Sequence, residues 1–231
     1  MSAGRKEAEL ESVFGNHENS RSRNGSHAFR AGRYFEELAK LIPQLPYAAI
    51  DAIAGVMLQA FAEDRTVFVF GNGGSAASAS HAMVDMNKGT SGMGQSRRMK
   101  VMALTDNVPL LTAWANDSSY EKVFSEQLKN FARSRDVAFA ISASGNSSNV
   151  ILALQTARDC GAVTVGVAGY QGGKMKSLCD VCAVVPSDNM QMIEDMHHAM
   201  LHSIFTMVRE RLAHAKPEAV AVAAAAGRFV K

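Results

Sequence analysis

The stretch Thr66–Asp85, TVFVFGNGGSAASASHAMVD, reads as a strand, a glycine turn and a helix. Thr66–Phe70 is a short run of β-branched and aromatic residues, as expected of a strand buried on both faces. Gly71-Asn72-Gly73-Gly74 lets the chain reverse sharply and brings bare backbone N–H groups to the surface. Ser75 is a natural N-cap, so a helix is expected from about Ala76. Free N–H groups at the positive end of a helix dipole bind anions, phosphate above all.

The same alternation continues downstream. Strands are expected at 66–71, 99–104, 136–142, 162–167 and 181–185, and helices at 75–88, 120–133, 147–160 and 190–212. Buried strands alternating with helices give an α/β fold: a parallel sheet with helices on both faces, here five strands in flavodoxin-like order. Ligands in such sheets bind beyond the carboxyl ends of the strands, where strand order reverses. Upstream, residues 1–26 are polar and read as a mobile tail with a short helix at Lys6–Val13. His27–Leu41 and Tyr47–Ala62 carry apolar residues at helical spacing, split by Pro43 and Pro46. This N-terminal helical hairpin needs something to pack on, and a partner subunit would serve. Residues 27–231 are read as one domain: the hairpin (27–63), the α/β core (64–212) and a tail (213–231) that the sequence leaves as helix or coil.

Composition narrows the function. The 231 residues are 47% hydrophobic, enough for one sizeable core. A net charge of +2 offers no electrostatic case for nucleic acid or an acidic membrane surface. No apolar run reaches the roughly 18 residues a membrane span needs, and the N-terminus lacks a signal-peptide core. Three cysteines, an odd number, suit a reducing compartment, so a cytoplasmic location is expected.

A second phosphate-type loop is Ile141-Ser142-Ala143-Ser144-Gly145-Asn146-Ser147-Ser148-Asn149-Val150, again between a buried strand and a helix. Its serines and glycine offer hydroxyl and N–H donors. It lacks the lysine of a nucleotide P-loop, and neither loop completes a dinucleotide fingerprint. One such loop is an ordinary turn as readily as a site; two at strand ends of one sheet favour a phosphomonoester site. His81 and Asp85 are four apart on the helix after the first loop and share a face. Late in the chain, Glu194, His198 and His202 form an i, i+4, i+8 stripe, with His197 one turn from Glu194. A single histidine there is most simply a packed or surface residue. Several, with acids, suggest a metal site of imidazole and carboxylate or an acid/base pair. Cys179 and Cys182 are an isolated C-x-x-C, read as packing. Asn116 and Asp117 suit sugar hydroxyls or a turn equally well.

Taken in order, GNGGS at 71–75, His81, LTDN at 104–107, AND at 115–117, ISASGNSSNV at 141–150, GxxGGK at 169–174 and E-x-x-H-x-x-x-x-H at 194–202 resemble the sugar isomerase (SIS) domain family, and within it the phosphoheptose isomerase group. The match runs from about residue 30 to 212. The resemblance implies aldose–ketose isomerisation of sedoheptulose 7-phosphate to D-glycero-D-manno-heptose 7-phosphate, by proton transfer through an enediolate. It places phosphate on Ser142, Ser144 and Ser147, and the sugar close to Asn72, Gly73, Gly74 and Ser75, with Ala143, Asn116, Asp117 and Glu194 also in contact with substrate. It puts catalysis on Asp85 and His202. It implies one divalent metal per subunit, typically zinc, on His81, Asp85, Glu194 and His202. It also implies a homotetramer formed through the leading helices, with sites near subunit interfaces.

Two positions depart from the group. Its usual glutamate is Asp85 here, shorter by about 1.5 Å, and a misplacement of about 1 Å can cost roughly 100-fold in rate. Its usual glutamine is Glu194, which adds a negative charge. Together they point to a metal-dependent variant or to another phosphosugar. The rival class is a non-catalytic SIS module that binds a sugar phosphate or a protein partner such as a replication initiator; such a module would be free to lose His81 and His202.

Overall fold

The structure, a computed structural model, describes residues 31–92 and 97–214. The expected helix at Lys6–Val13, the start of the first hairpin helix and the tail beyond His214 lie outside the described residues. The chain divides into two compact units, residues 1–36 and 37–231. Of the first, the described part is helical, the start of α1 (Ala31–Leu41).

In the second unit, β1 (Thr66–Gly71), β2 (Lys100–Ala103), β3 (Val137–Ser142), β4 (Val163–Ala168) and β5 (Val181–Val184) form one sheet in the order β2-β1-β3-β4-β5. Every pairing is parallel, and the register aligns Gly71 with Ile141 and Ser142 with Ala168. This is the expected flavodoxin-like order. The order reverses at β1, so the crevice between the carboxyl ends of β1 and β3 is the switch point. Both phosphate-type loops leave from there.

The helices are α2 (Tyr47–Ala62), α3 (Gly74–Gly89), α4 (Val108–Asp117), α5 (Ser125–Phe131), α6 (Ser148–Asp159), α7 (Met175–Leu178) and α8 (Met190–His214). Strand alternation sorts side chains into two cores. Val67, Val69, Phe139, Ile141, Val165 and Val167 face a core with residues of α2, α3 and α8. Phe68, Phe70, Ala138 and Ala140 face a second core with residues of α5, α6 and α7. Each fully buried Phe, Ile or Met contributes roughly 1.5–3 kcal/mol. Cys160, Cys179 and Cys182 are free thiols at the edge of the second core.

Three local expectations are revised. The apolar face of α2 (Ile50, Ile53, Val56, Met57, Phe61) is buried within the chain, so it needs no second subunit to cover it. The expected helix over 120–133 is a 3₁₀ turn, Tyr120–Lys122, followed by α5. The break falls where the buried Gln127 amide bonds the carbonyls of Val123 and Leu104 at 2.7 and 3.0 Å. The third concerns the start of α3, described below. Among the described residues, no single helix is long and apolar enough to cross a membrane.

Candidate active site

Helix α3 begins at Gly74, with Gly73 rather than Ser75 at its N-cap. Gly73 has φ +54°, a conformation that costs a side-chain-bearing residue about 1 kcal/mol or more, so the chain reverses as soon as β1 ends. Ser75 therefore lies inside the first turn, nearly buried. The carbonyls of Asn72 and Gly73 accept from Ala76 N–H at 3.3 and 3.0 Å. The N–H groups of Gly74 and Ser75 have no carbonyl earlier in the helix to bond.

The two loops are fastened to each other. Asn72 Nδ2 donates to Asn149 Oδ1 at 2.9 Å, and Asn149 Nδ2 donates back to Asn72 Oδ1 at 2.8 Å. Tyr120 Oη donates to the same Asn72 oxygen at 3.0 Å. Asn149 is buried, so this reciprocal amide pair lies in a low-dielectric setting where a broken partner is costly. Neither Asn149 nor Tyr120 is among the site residues expected from the sequence. Asn149 stood in plain view at the end of the ISASGNSSNV run, while Tyr120 carried no local signal.

In the second loop, the Ser142 hydroxyl accepts from Gly145 N–H and the Ser144 hydroxyl from Asn146 N–H, each at 3.2 Å. Gly145 has φ +62°, and a Cβ there would lie 2.2 Å from the Gly172 carbonyl oxygen. The 169–174 loop thus packs directly on it: Met175 N–H donates to the Gly145 carbonyl at 2.9 Å, and Lys174 N–H to Asn146 Oδ1 at 3.0 Å. Ser147 is the N-cap of α6, and its side chain makes no capping bond to the helix. Ala143 contributes backbone, its carbonyl accepting from Gly169 N–H at 2.8 Å. The loop is a rigid turn with an uncapped helix N-terminus, a suitable seat for an anion.

Histidines and acid meet where α3 and α8 run side by side. His81 Nε2 lies 3.0 Å from His202 Nε2, and Asp85 Oδ2 lies 3.3 Å from His81 Nε2 and 3.6 Å from His202 Nε2. His198 completes the group: one nitrogen of each of His81, His198 and His202 falls within 4.8 Å of the others. A tetrahedral ion with bonds of about 2.0–2.1 Å has donor–donor edges of about 3.3 Å. The separations among His81, Asp85 and His202 fit such an edge, and imidazole with carboxylate suits a borderline divalent ion. The His198 imidazole is held below its ordinary basicity, first by partial burial and then by the facing imidazoles of His202 and His81.

Other candidates fall elsewhere. Both carboxylate oxygens of Glu194 lie 3.5 Å from where a Cβ on Gly74 would stand, at the N-terminus of α3. Asn116 and Asp117 are exposed at the end of α4, with Asn116 Nδ2 donating to Asp117 Oδ1 at 2.8 Å. Among the described residues, no hydrogen bond joins them to either loop. His197 points inward: it is 1% exposed, and neither ring nitrogen has a hydrogen-bond partner. Burial is the main cause that pushes its pKa down to about 4.

The model of the SIS domain matches residues 33–169. The phosphoheptose isomerase of Aliarcobacter butzleri (strain RM4018) is 37% identical over 180 residues, covering 78% of this chain and 93% of that protein. A probable phosphoheptose isomerase of Thermoplasma acidophilum is 37% identical over 181 residues, covering 78% and 98%. Among solved structures, phosphoheptose isomerase GmhA from Neisseria gonorrhoeae superposes with a TM-score of 0.74 at 29% identity, covering 80% of this chain and 100% of that one.

Proposed function

Since the chain belongs to the SIS domain family, and within it to the phosphoheptose isomerases, we propose that it interconverts sedoheptulose 7-phosphate and D-glycero-D-manno-heptose 7-phosphate. The observation that carries this reading is the meeting of Asp85 and His81, on the helix that leaves the first loop, with His202 of α8, Asp85 lying 3.3 Å from His81 and 3.6 Å from His202. An isomerase of this kind moves a proton between adjacent carbons and needs a base at one and an acid at the carbonyl oxygen. Asp85 Oδ2 and His202 Nε2 supply that pair. The phosphate sits on the second loop, held by Ser142, Ser144, the Ser147 hydroxyl and the backbone at Ala143, at the N-terminus of α6. Asn72, Gly73, Gly74 and Ser75 border the sugar, with Glu194 above them. Asn116 and Asp117 meet hydroxyls from the end of α4.

His81, Asp85 and His202 would hold a divalent ion, zinc by their chemistry, one per subunit. When bound, it supplies Lewis acidity toward the sugar oxygens. The reading includes a cytoplasmic setting, supported by three free thiols. It also includes a homotetramer, supported by Ile42 and Tyr47, large side chains left exposed at the corner between α1 and α2.

The test is turnover of sedoheptulose 7-phosphate by purified protein, with and without added zinc. Activity is expected, with a loss of about 100-fold or more in His202→Ala. Binding of the sugar phosphate without turnover, in either condition, would overturn the reading and favour a sugar-phosphate-binding module.

A further inference from the structure

Helices α3 and α8 run in the same direction past each other, which sets a register. The Glu194 side chain reaches Gly74 at the start of α3, and one turn later on α8, about 6 Å along its axis, His198 packs against His81, about two turns further along α3. After another turn His202 stands level with His81 and Asp85. Two i, i+4 pairs, His81/Asp85 and His198/His202, therefore face each other across the helix interface. The carboxylate one turn earlier on α8 is directed at the α3 N-terminus, where the helix dipole favours it.

The three imidazoles are gathered rather than stacked. Ring centroids lie 4.7 Å apart for His81 and His198, 4.5 Å for His198 and His202, and 5.2 Å for His81 and His202. The rings meet at interplanar angles of 46°, 75° and 60°, with one nitrogen of each within 4.8 Å of the others.

We propose that His198 is a metal ligand in this chain, completing a three-histidine, one-aspartate set with His81, Asp85 and His202, and that Glu194 lies outside the metal and faces the substrate. The proposal rests on the metal-dependent form of the isomerase reading. Its chemistry follows from the donor set. Three imidazoles and one carboxylate leave a divalent ion with a net charge of about +1, whereas two carboxylates would neutralise it. An imidazole-rich set selects zinc, cobalt, nickel or copper over magnesium and calcium. The Glu194 carboxylate, off the metal, stays available at the sugar-binding loop.

The experiment uses full-length protein stripped with a chelator and reloaded. Zinc affinity is measured by competition with a chromogenic chelator, and cobalt(II) is added separately to record the visible spectrum. Changes in residues outside the ligand shell of other metal sites cost 10–100-fold in affinity, so His198→Ala should weaken zinc binding by at least about 100-fold. It should also change the cobalt band. His198→Asp, which restores a donor at a half-buried helix position, should recover part of the affinity. Glu194→Gln should stay within about 3-fold of wild type. Loss of affinity in Glu194→Gln with none in His198→Ala would overturn the proposal, as would unchanged affinity in both. A wild-type protein that binds no zinc yet turns over the heptose phosphate would sink the His198 assignment and leave the isomerase reading standing. Zinc held through His198 without turnover would do the reverse.

Discussion

The buried His197 is expected to make this fold acid-sensitive. The ring is 1% exposed in the first core, and burial lowers its pKa from the ordinary 6.5 to about 4. In the native state it therefore stays neutral well below pH 6, while the unfolded chain takes up a proton near 6.5. Below that value the unfolded state binds more protons than the native state, so stability falls as pH falls. It is fully present above pH 6.5, and this contribution is completely lost below about pH 4. A shift of this size is worth about 3 kcal/mol in total, of which about 2 kcal/mol disappears between pH 7 and pH 5. The assay is urea unfolding at the two pH values, in chelator and at fixed protein concentration, followed by the fluorescence of Trp114, the single tryptophan. Carboxylates also contribute to acid sensitivity, so the informative quantity is a difference. His197→Met has nearly the same volume and no titration, and it removes two unpartnered buried nitrogens. Wild type should lose about 2 kcal/mol more than His197→Met over this range. Parallel curves for the two proteins would refute the reasoning, because they would mean that the ring is hydrated or protonated in the native state.

Two further outcomes test the scaffold. Gly145→Ala forces a Cβ to within 2.2 Å of the Gly172 carbonyl at a positive φ, so the second loop must open. A stability loss of about 2 kcal/mol or more is expected, together with a raised KM for the sugar phosphate, and a KM equal to wild type would show that this loop does not hold the phosphate. Asp136 is buried, and its carboxylate accepts from Thr66 N–H at 2.9 Å and Arg133 N–H at 2.7 Å. Asp136→Ala strands both donors at the base of the sheet and should cost about 3 kcal/mol in urea unfolding; a loss under about 1 kcal/mol would mean that water replaces the carboxylate.

Periodicity and turn chemistry made most of the scaffold legible. The run Thr66–Phe70 is apolar at every position but the first because both faces of the strand are covered, and that pattern, repeated downstream, carried the parallel sheet. The two glycine- and serine-rich loops announced themselves at strand ends, and the i, i+4 spacing put His81 with Asp85 and His198 with His202. Local chemistry was less reliable at the start of α3. Ser75 is the better N-cap by type, yet Gly73 takes that place because only the backbone freedom of glycine lets the helix begin so soon after the strand.

What the tertiary structure decided is the pairing of faces. Helical spacing says that Glu194, His198 and His202 lie along one stripe, but not which neighbouring helix the stripe meets, nor at what height. Those are set by burial of Ile193, Met196, Met200 and Ile204 of α8 in the core it shares with α3 and the sheet, which fixes the register of α8 against α3. That register brings His198 to His81, leaves Glu194 at Gly74 and turns His197 into the core. The Asn72–Asn149 pair joins positions 77 residues apart, a contact that only the adjacency of β1 and β3 creates. Local propensity acts within a few residues, whereas the candidate site is made by packing free energy that acts between elements distant in the chain.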